Sequence, residues 1–421
     1  MATVCLSSCV YHNDDNPNVY PDPEPIPTPE PEPKPDINEE YVKAASDPNC
    51  YMVRPGESTA IPTLKGYAMW SLYSEWLGES GLEESAPEPV LLWQDAPGLI
   101  TNVGLVEGNP AKASSIVVST SDKVGNAVIG MRVKGEIRWS WHIWVTRYNP
   151  DSEQVAYGKI YSWDNNSDGT ADYVFMDRNL GAVNDSWVIG NSTADSLAAC
   201  GLMYQWGRKD PFPGDSGFLR TNSTDYEYFD SRTIYDASGN VLTEGSQSGG
   251  TGIRSVRPDY DPTTTGLAKS ILRPMEFILG ISSFNDWFPG DEPVTLTKCD
   301  TLWCGESGRK TPFDPCPEGW QVPSDRNEAF VWNGLGEATT DISPLGVFPY
   351  NGLRYRNGGG CLKNSGFAAN IWSGTPPTGI GNAYQLSIYI SPYEKRPIVR
   401  KDVAPRSDGC AVRCVKSTNN Q

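Results

Sequence analysis

The residues Asp164-Asn-Asn-Ser-Asp-Gly-Thr-Ala-Asp172 carry the spacing closest to a chemical site. Asp164, Asn166, Asp168 and Asp172 offer side-chain oxygens, Thr170 offers a carbonyl, and Gly169 permits a sharp bend. That matches the front of a calcium loop, in which alternate side chains curl round one hard cation. The twelfth position is Phe175 rather than a bidentate glutamate, so the loop is no EF-hand and an outside ligand would have to complete the shell. The competing reading is an Asx-rich hairpin turn between Tyr161-Ser-Trp163 and Tyr173-Val-Phe-Met176. Ca2+ is the one cofactor these residues suggest.

Two similar hexapeptides bracket a long excursion: Asp210-Pro-Phe-Pro-Gly-Asp215 and Asp286-Trp-Phe-Pro-Gly-Asp291. Each sets aromatics (Phe212 in the first, Trp287 and Phe288 in the second) between two carboxylates on a Pro-Gly turn. Hydroxyls need acceptors and pyranose faces stack on rings, so Asp210, Phe212, Asp215, Asp286, Trp287, Phe288 and Asp291 are candidate contacts for a glycan or protein ligand. The alternative makes them turns whose aromatics plug a core. Only two histidines occur, His12 and His142, which disfavours Ser-His-Asp or Cys-His catalysis and His-ligated zinc. Paired carboxylates could hydrolyse glycosides without histidine, but no pair stands out by spacing. No catalytic residue is assigned.

The ten cysteines include no CxxC, and the close pairs Cys299/Cys304 and Cys410/Cys414 do not fit a zinc framework. Disulfides and buried free thiols both remain open. The net charge of −18 argues against nucleic acid and anionic lipid headgroups. The longest apolar runs fall far short of the roughly 20 residues a membrane-spanning helix needs. Leu6-Ser-Ser-Cys9 matches a lipobox, which would make Cys9 a lipidated N-terminus and residues 1–9 the end of a longer signal peptide. The acidic stretch after Cys9 resembles a surface-export signal of Bacteroidetes lipoproteins. From Pro21 to Pro35 every odd position is proline, so residues 10–40 read as a disordered, acidic, polyproline II-like spacer.

The elements that would position these residues fall into two parts. Residues 41–147 read as an all-β domain. Val90-Leu-Leu-Trp93, Leu99–Val106, Ser114–Thr120, Asn126–Val133 and Glu136–Thr146 are separated by Gly, Pro, Asn or Asp, the spacing of an immunoglobulin-like β-sandwich. Strand alternation puts Trp139, Trp141 and Ile143 on one face and Arg138, Ser140, His142 and Trp144 on the other. Such a tryptophan stripe serves a core more often than a sugar platform. Tyr67–Leu77 reads as either strand or helix. Residues 148–421 form the second part, with a long insertion at about 213–310 rich in Gly, Ser, Thr, Asp and Tyr.

Within it, Thr311-Pro-Phe-Asp-Pro-Cys-Pro-Glu-Gly-Trp-Gln-Val-Pro323 must run as a rigid extended turn delivering Trp320 and Val322 to a core. Ser324 or Asp325 then resembles the N-cap of a short helix through Trp332. Cys-Pro-x-Gly-Trp-x-Val-Pro resembles the major paralogous domain family of Bacteroidetes-type surface proteins. Met176-Asp-Arg-Asn-Leu-Gly-Ala182, Gly201-Leu-Met-Tyr-Gln-Trp-Gly-Arg-Lys-Asp-Pro-Phe212, Asn285-Asp-Trp287, Trp372-Ser373 and Cys410-Ala-Val-Arg-Cys-Val415 follow the same pattern in order. The resemblance implies a C-type-lectin-like α+β fold distantly akin to formylglycine-generating enzymes. Those enzymes need a redox cysteine pair where Cys361 stands alone, so their activity is not carried over. The lectin calcium pairing is likewise missing: Phe284-Asn-Asp-Trp287 has related residues in another order.

The expectation is therefore all-β plus α+β, with an Ig-like sandwich before a C-type-lectin-like domain. Lipid-anchored on the outer membrane surface, it would act as a non-enzymatic adhesin binding a glycan or protein ligand through loops of the C-terminal domain. The alternatives are a structural accessory or tip subunit of a pilus or other surface assembly, and a carboxylate-based glycoside hydrolase.

Overall fold

The computed structural model describes residues 38–78, 81–83, 85–152, 159–185, 187, 194–217, 228–246, 249–257, 266–280, 285–288, 300–305, 308–326, 330–333, 335, 345–376, 381–390 and 397–417. Cys9, the proline spacer up to Ile37, Asp291 and Cys299 lie outside the described residues.

Helix α1 (Glu39–Ala45) starts at Asn38, whose side chain accepts the Tyr41 amide at 3.3 Å, and Glu39 and Glu40 suit the positive end of its dipole. In chain order come β1 (Cys50–Val53), β2 (Ser58–Pro62), α2 (Leu64–Leu72), α3 (Ser74–Leu77), β3 (Glu88–Gln94), β4 (Ile100–Val106), β5 (Ser115–Thr120), β6 (Gly125–Val133) and β7 (Glu136–Val145). The last five coincide with the turn-bounded apolar runs of the sequence. Tyr67–Leu77 resolves as helix, and the helix fits closely: a Cβ on Gly66 would lie 2.3 Å from Met131 Cε.

These strands form two sheets, ordered β1-β7-β6-β3 and β2-β5-β4, with β1 parallel to β7. Trp139, Trp141, Ile143 and Val145 of β7 enter one core, with Met69, Trp70, Ile116 and Val118. Trp144 enters a second core on the opposite face. Alternation is thus obeyed, yet both faces are apolar, because the rest of the chain packs on the face that a two-layer sandwich would leave wet.

The boundary expected at residue 147 does not divide the core. Asn38–Gln421 groups as one unit. The first core takes in Leu267, Ile271, Trp287, Phe288, Leu302 and Phe313, and the second joins Trp93 and Val128 to Tyr204, Trp206 and Trp372. The described parts of the excursion stitch the halves together. Ile234–Tyr235 extends the first sheet from β3 through Tyr235 opposite Gln94, and Val241–Leu242 follows it.

Beyond residue 147 the structure is again mostly sheet. One path runs Tyr204–Gln205, Gly409–Cys410, Asn351–Arg354, Ala368–Trp372, Asn382–Ile390, Pro397–Pro405. A second sheet orders Trp320–Gln321, Val415–Lys416, Tyr173–Met176 and Ile160–Trp163. Four buried indoles act as braces. The indole of Trp206 donates to the Ser373 carbonyl, Trp372 to Tyr204, Trp287 to Trp206 and Trp303 to Arg208, at 2.7–3.1 Å. Gly201, with φ +75°, is where a Cβ would meet the Leu180 carbonyl oxygen at 2.6 Å.

The proline-rich turn behaves as its composition dictates, and Trp320 and Val322 are buried. The short helix expected after it is absent among the described residues. Val331–Asn333 is a turn, and the Asp325 carboxylate accepts the Val331 amide at 3.2 Å, bridging six residues where a capping box spans three. Cys316 within the proline turn is disulfide-bonded to Cys414, closing a separation of 98 residues, while Cys50, Cys200, Cys304, Cys361 and Cys410 are free thiols. Opening so long a loop by Cys414→Ser is expected to lower unfolding stability by about 2–5 kcal/mol, read as a shifted denaturant midpoint. An unchanged midpoint would mean that packing alone holds the turn.

Candidate functional site

The Asp164–Asp172 stretch joins the paired strands Ile160–Trp163 and Tyr173–Met176, exposed from Asn166 to Ala171 with Asn165 buried. Its oxygens are turned onto its own backbone. Asp164 Oδ1 accepts the amides of Asn166, Ser167 and Asp168, and Oδ2 accepts that of Gly169 at 2.7 Å. Asp168 Oδ1 takes the Thr170 amide, and Asp172 Oδ2 takes that of Asn165. Slight desolvation raises the Asp164 pKa, but the four amides outweigh it and hold the carboxyl below its ordinary range. These are the hydrogen bonds of an Asx-rich turn. Among the described residues no group of three or more His, Cys, Asp or Glu side chains forms a metal cluster.

The described hexapeptide residues are interior. Phe212 is fully buried, edge-on to Phe277 at 5.2 Å. Asp210 accepts from Ser140 Oγ at 2.6 Å and from the buried Lys209 Nζ at 2.7 Å, which ties this turn to β7. Burial pushes Asp215 well up, and neither of its oxygens accepts a hydrogen bond. Trp287 and Phe288 are also buried, and Asp286 lies beneath the surface with Arg406 Nη1 at 3.6 Å. The ligand-contact reading of Asp210, Phe212, Asp215, Asp286, Trp287 and Phe288 is therefore corrected: the aromatics are buried, Asp210 answers Lys209 and Ser140, Asp286 answers Arg406 and the Phe288 amide, and Asp215 is buried.

His142 is buried, with Nε2 2.9 Å from Asn126 Oδ1 and Nδ1 3.4 Å from Tyr204 Oη. Burial lowers its pKa to about 3, so it remains a neutral core group.

An accessible site lies where the two halves meet. An open cleft of about 350 Å³ runs beside β1, the edge strand of the first sheet, and is closed on its far side by Pro317, Glu318 and Trp320 of the proline turn. Cys50 bridges to Pro317 at one end, which fixes the distance between the two walls. Tyr51 supplies half-buried aromatic surface, with Tyr148 and Trp320 buried in the wall behind it, Glu57, Asp151 and Glu318 supply exposed carboxylates, and Arg54 adds one cation. The Trp320 indole N–H is buried without an acceptor. Burial first, then Asp47 and Glu318, raise the Tyr51 pKa, so its hydroxyl stays protonated as a donor. Rings beside acceptors can hold a hydroxylated or cationic ligand without covalent chemistry.

The sequence signals Trp320 and its rigid turn but not the facing wall. Cys50-Tyr-Met-Val53 is too short to show a period, and Tyr148-Asn-Pro-Asp151 reads as an ordinary turn.

Because the Asx turn is complete without a cation, melting temperatures in calcium and in chelator are expected to agree within about 1 °C. A rise of several degrees in calcium would make the loop a cation site. Burial raises the Asp286 pKa from 3.8 to about 6 despite Arg406. A carboxyl raised on folding lends stability that is full below about pH 4 and is lost as pH rises through 6. Asp286→Asn removes that slope. The wild type should lose about 1–3 kcal/mol relative to the variant between pH 4 and pH 8. Denaturant midpoints at both pH values measure it, and a constant difference would return Asp286 to an ordinary carboxylate.

Among known proteins, no family model, no curated protein and no solved structure matches this chain.

Proposed function

We propose that this chain is a non-enzymatic binding subunit displayed on a cell surface, and that it takes its ligand in the cleft between β1 and the proline turn. The observation that carries this reading is the cleft's chemistry: the half-buried ring of Tyr51, backed by the buried Tyr148 and Trp320, beside three exposed carboxylates, on walls supplied by both halves of the chain. The favoured ligand is a glycan, whose ring face stacks on Tyr51 and whose hydroxyls donate to Glu57, Asp151 and Glu318. The site lies away from the hexapeptide loops of the C-terminal part. Lipidation at Cys9 and the proline spacer would hold this head away from an outer membrane.

The fold assignment belongs to the same proposal. The orders β3-β6-β7 and β2-β5-β4 are those of the C-F-G and B-E-D strands in an immunoglobulin-type sandwich, with β1 moved beside β7. The C-terminal part is read as a C-type-lectin-like, major-paralogous-type domain, supported by the way its shared motifs serve as mutual braces.

A second reading, a subunit of a surface assembly, is favoured by the position of β1. An edge strand in an open cleft is a template for an extended segment of another protein.

The full chain applied to a glycan array should bind, and Tyr51→Ala and Glu318→Gln should each weaken binding about three- to tenfold. Binding untouched by both changes would remove the cleft from the proposal. A blank array would shift weight to the assembly subunit, and glycan shortened by the wild-type chain would restore the hydrolase.

A further inference from the structure

A second cleft, also of about 350 Å³, has a different lining and does not depend on the reading above. Its walls come from β3, β7, the end of the helix Gly266–Leu272, and the neighbouring parallel strands Arg254–Val256 and Glu276–Ile278. Arg254 stands directly opposite Glu276 in that parallel pair, and the two are ion-paired through Arg254 Nη2 and Glu276 Oε1. Arg273 approaches the same oxygen from the helix end, with Nη1 at 3.7 Å, too far for a hydrogen bond. Two guanidinium groups thus share one carboxylate oxygen. Arg254, Arg273 and Glu276 are the ionisable residues of the lining, so it carries one excess positive charge in a chain of net charge −18.

The lining also includes an aliphatic wall of Leu92, Ile137, Leu272 and Met275, and no aromatic ring is among the lining residues. That wall cannot stack a sugar, and it would not hold a purely polar anion. It suits a hydrocarbon body with a charged end, because apolar burial and a charge-assisted pair then act on the two ends of one molecule.

We propose that this cleft binds a small aliphatic carboxylate, with the carboxylate between Arg254 and Arg273 and the hydrocarbon against Leu92, Leu272 and Met275. Glu276 is the internal competitor: it keeps the arginines in place and weakens the hold on an incoming anion. Affinity is therefore capped by a residue inside the site.

Isothermal titration of the full chain with octanoate tests this, with octan-1-ol and octylamine as matched neutral and cationic probes. Saturable octanoate binding with octylamine silent is the expected result. Arg273→Ala, at an exposed position, should weaken octanoate about tenfold or more at an unchanged melting temperature. Glu276→Gln should strengthen it several-fold. No saturable octanoate binding, equal binding of octylamine, or an Arg273→Ala chain that binds as the wild type does would each overturn the proposal. Should Glu276→Gln fail to fold, the probe comparison and Arg273→Ala still decide the matter.

Discussion

Asp314 has no exposed surface, and its two carboxylate oxygens accept the amides of Cys316 and Val322 at 2.8 and 2.7 Å. Lys310 enters the same interior and donates to the carbonyls of Cys316, Pro317 and Trp320, with Asp314 Oδ1 3.6 Å away. Prolines remove backbone donors and leave carbonyls without ladder partners, so a turn built from them needs an outside cation and an outside acceptor. Lys310 and Asp314 fill those two roles. Burial works against both charges, raising Asp314 and lowering Lys310, so neither is tolerable without the other and the amides around them.

Through this turn the halves of the chain are joined. Asn49 donates to the carbonyls of Pro312 and Asp314 at 2.8 Å, and its own oxygen accepts the Trp139 indole N–H. The buried Lys65 of α2 donates to Ala45, Asp47 and Pro312 carbonyls. The disulfide to Cys414 fastens the other side to the sheet that carries Val415. Both clefts depend on such joints: one is bounded by the proline turn itself, and the other by strands and a helix of the excursion laid over β3 and β7.

Local signals in the sequence were legible where one segment's chemistry decides its structure. Strands β3 to β7 follow from turn residues and apolar runs, and the side chains of the Asp164 loop close on their own backbone as its Asx spacing allows. What was not legible depends on partners far along the chain. Asp210-Pro-Phe-Pro-Gly-Asp215 looks like a binding loop because aromatics and carboxylates serve ligands and interiors alike; only Phe277, Lys209 and Ser140 decide which. The boundary at residue 147 failed for the same reason, since Phe313 and Leu302 complete a core that begins with Trp139. Tyr51 and Tyr148 gained their place at a cleft only when Pro317 was set against Cys50.

The fastening of Cys316 to Cys414 also sets an order of events during synthesis. A chain emerges from its N-terminus, so β1 to β7 exist long before Phe313 can fill their core and before Cys414 can close its bond. Until residues 204–210 arrive, the face of β7 that carries Ser140, His142 and Trp144 lacks the Tyr204 and Asp210 side chains that meet it. The early half must wait as an unfinished, adhesive surface until the later parts of its two cores have been made.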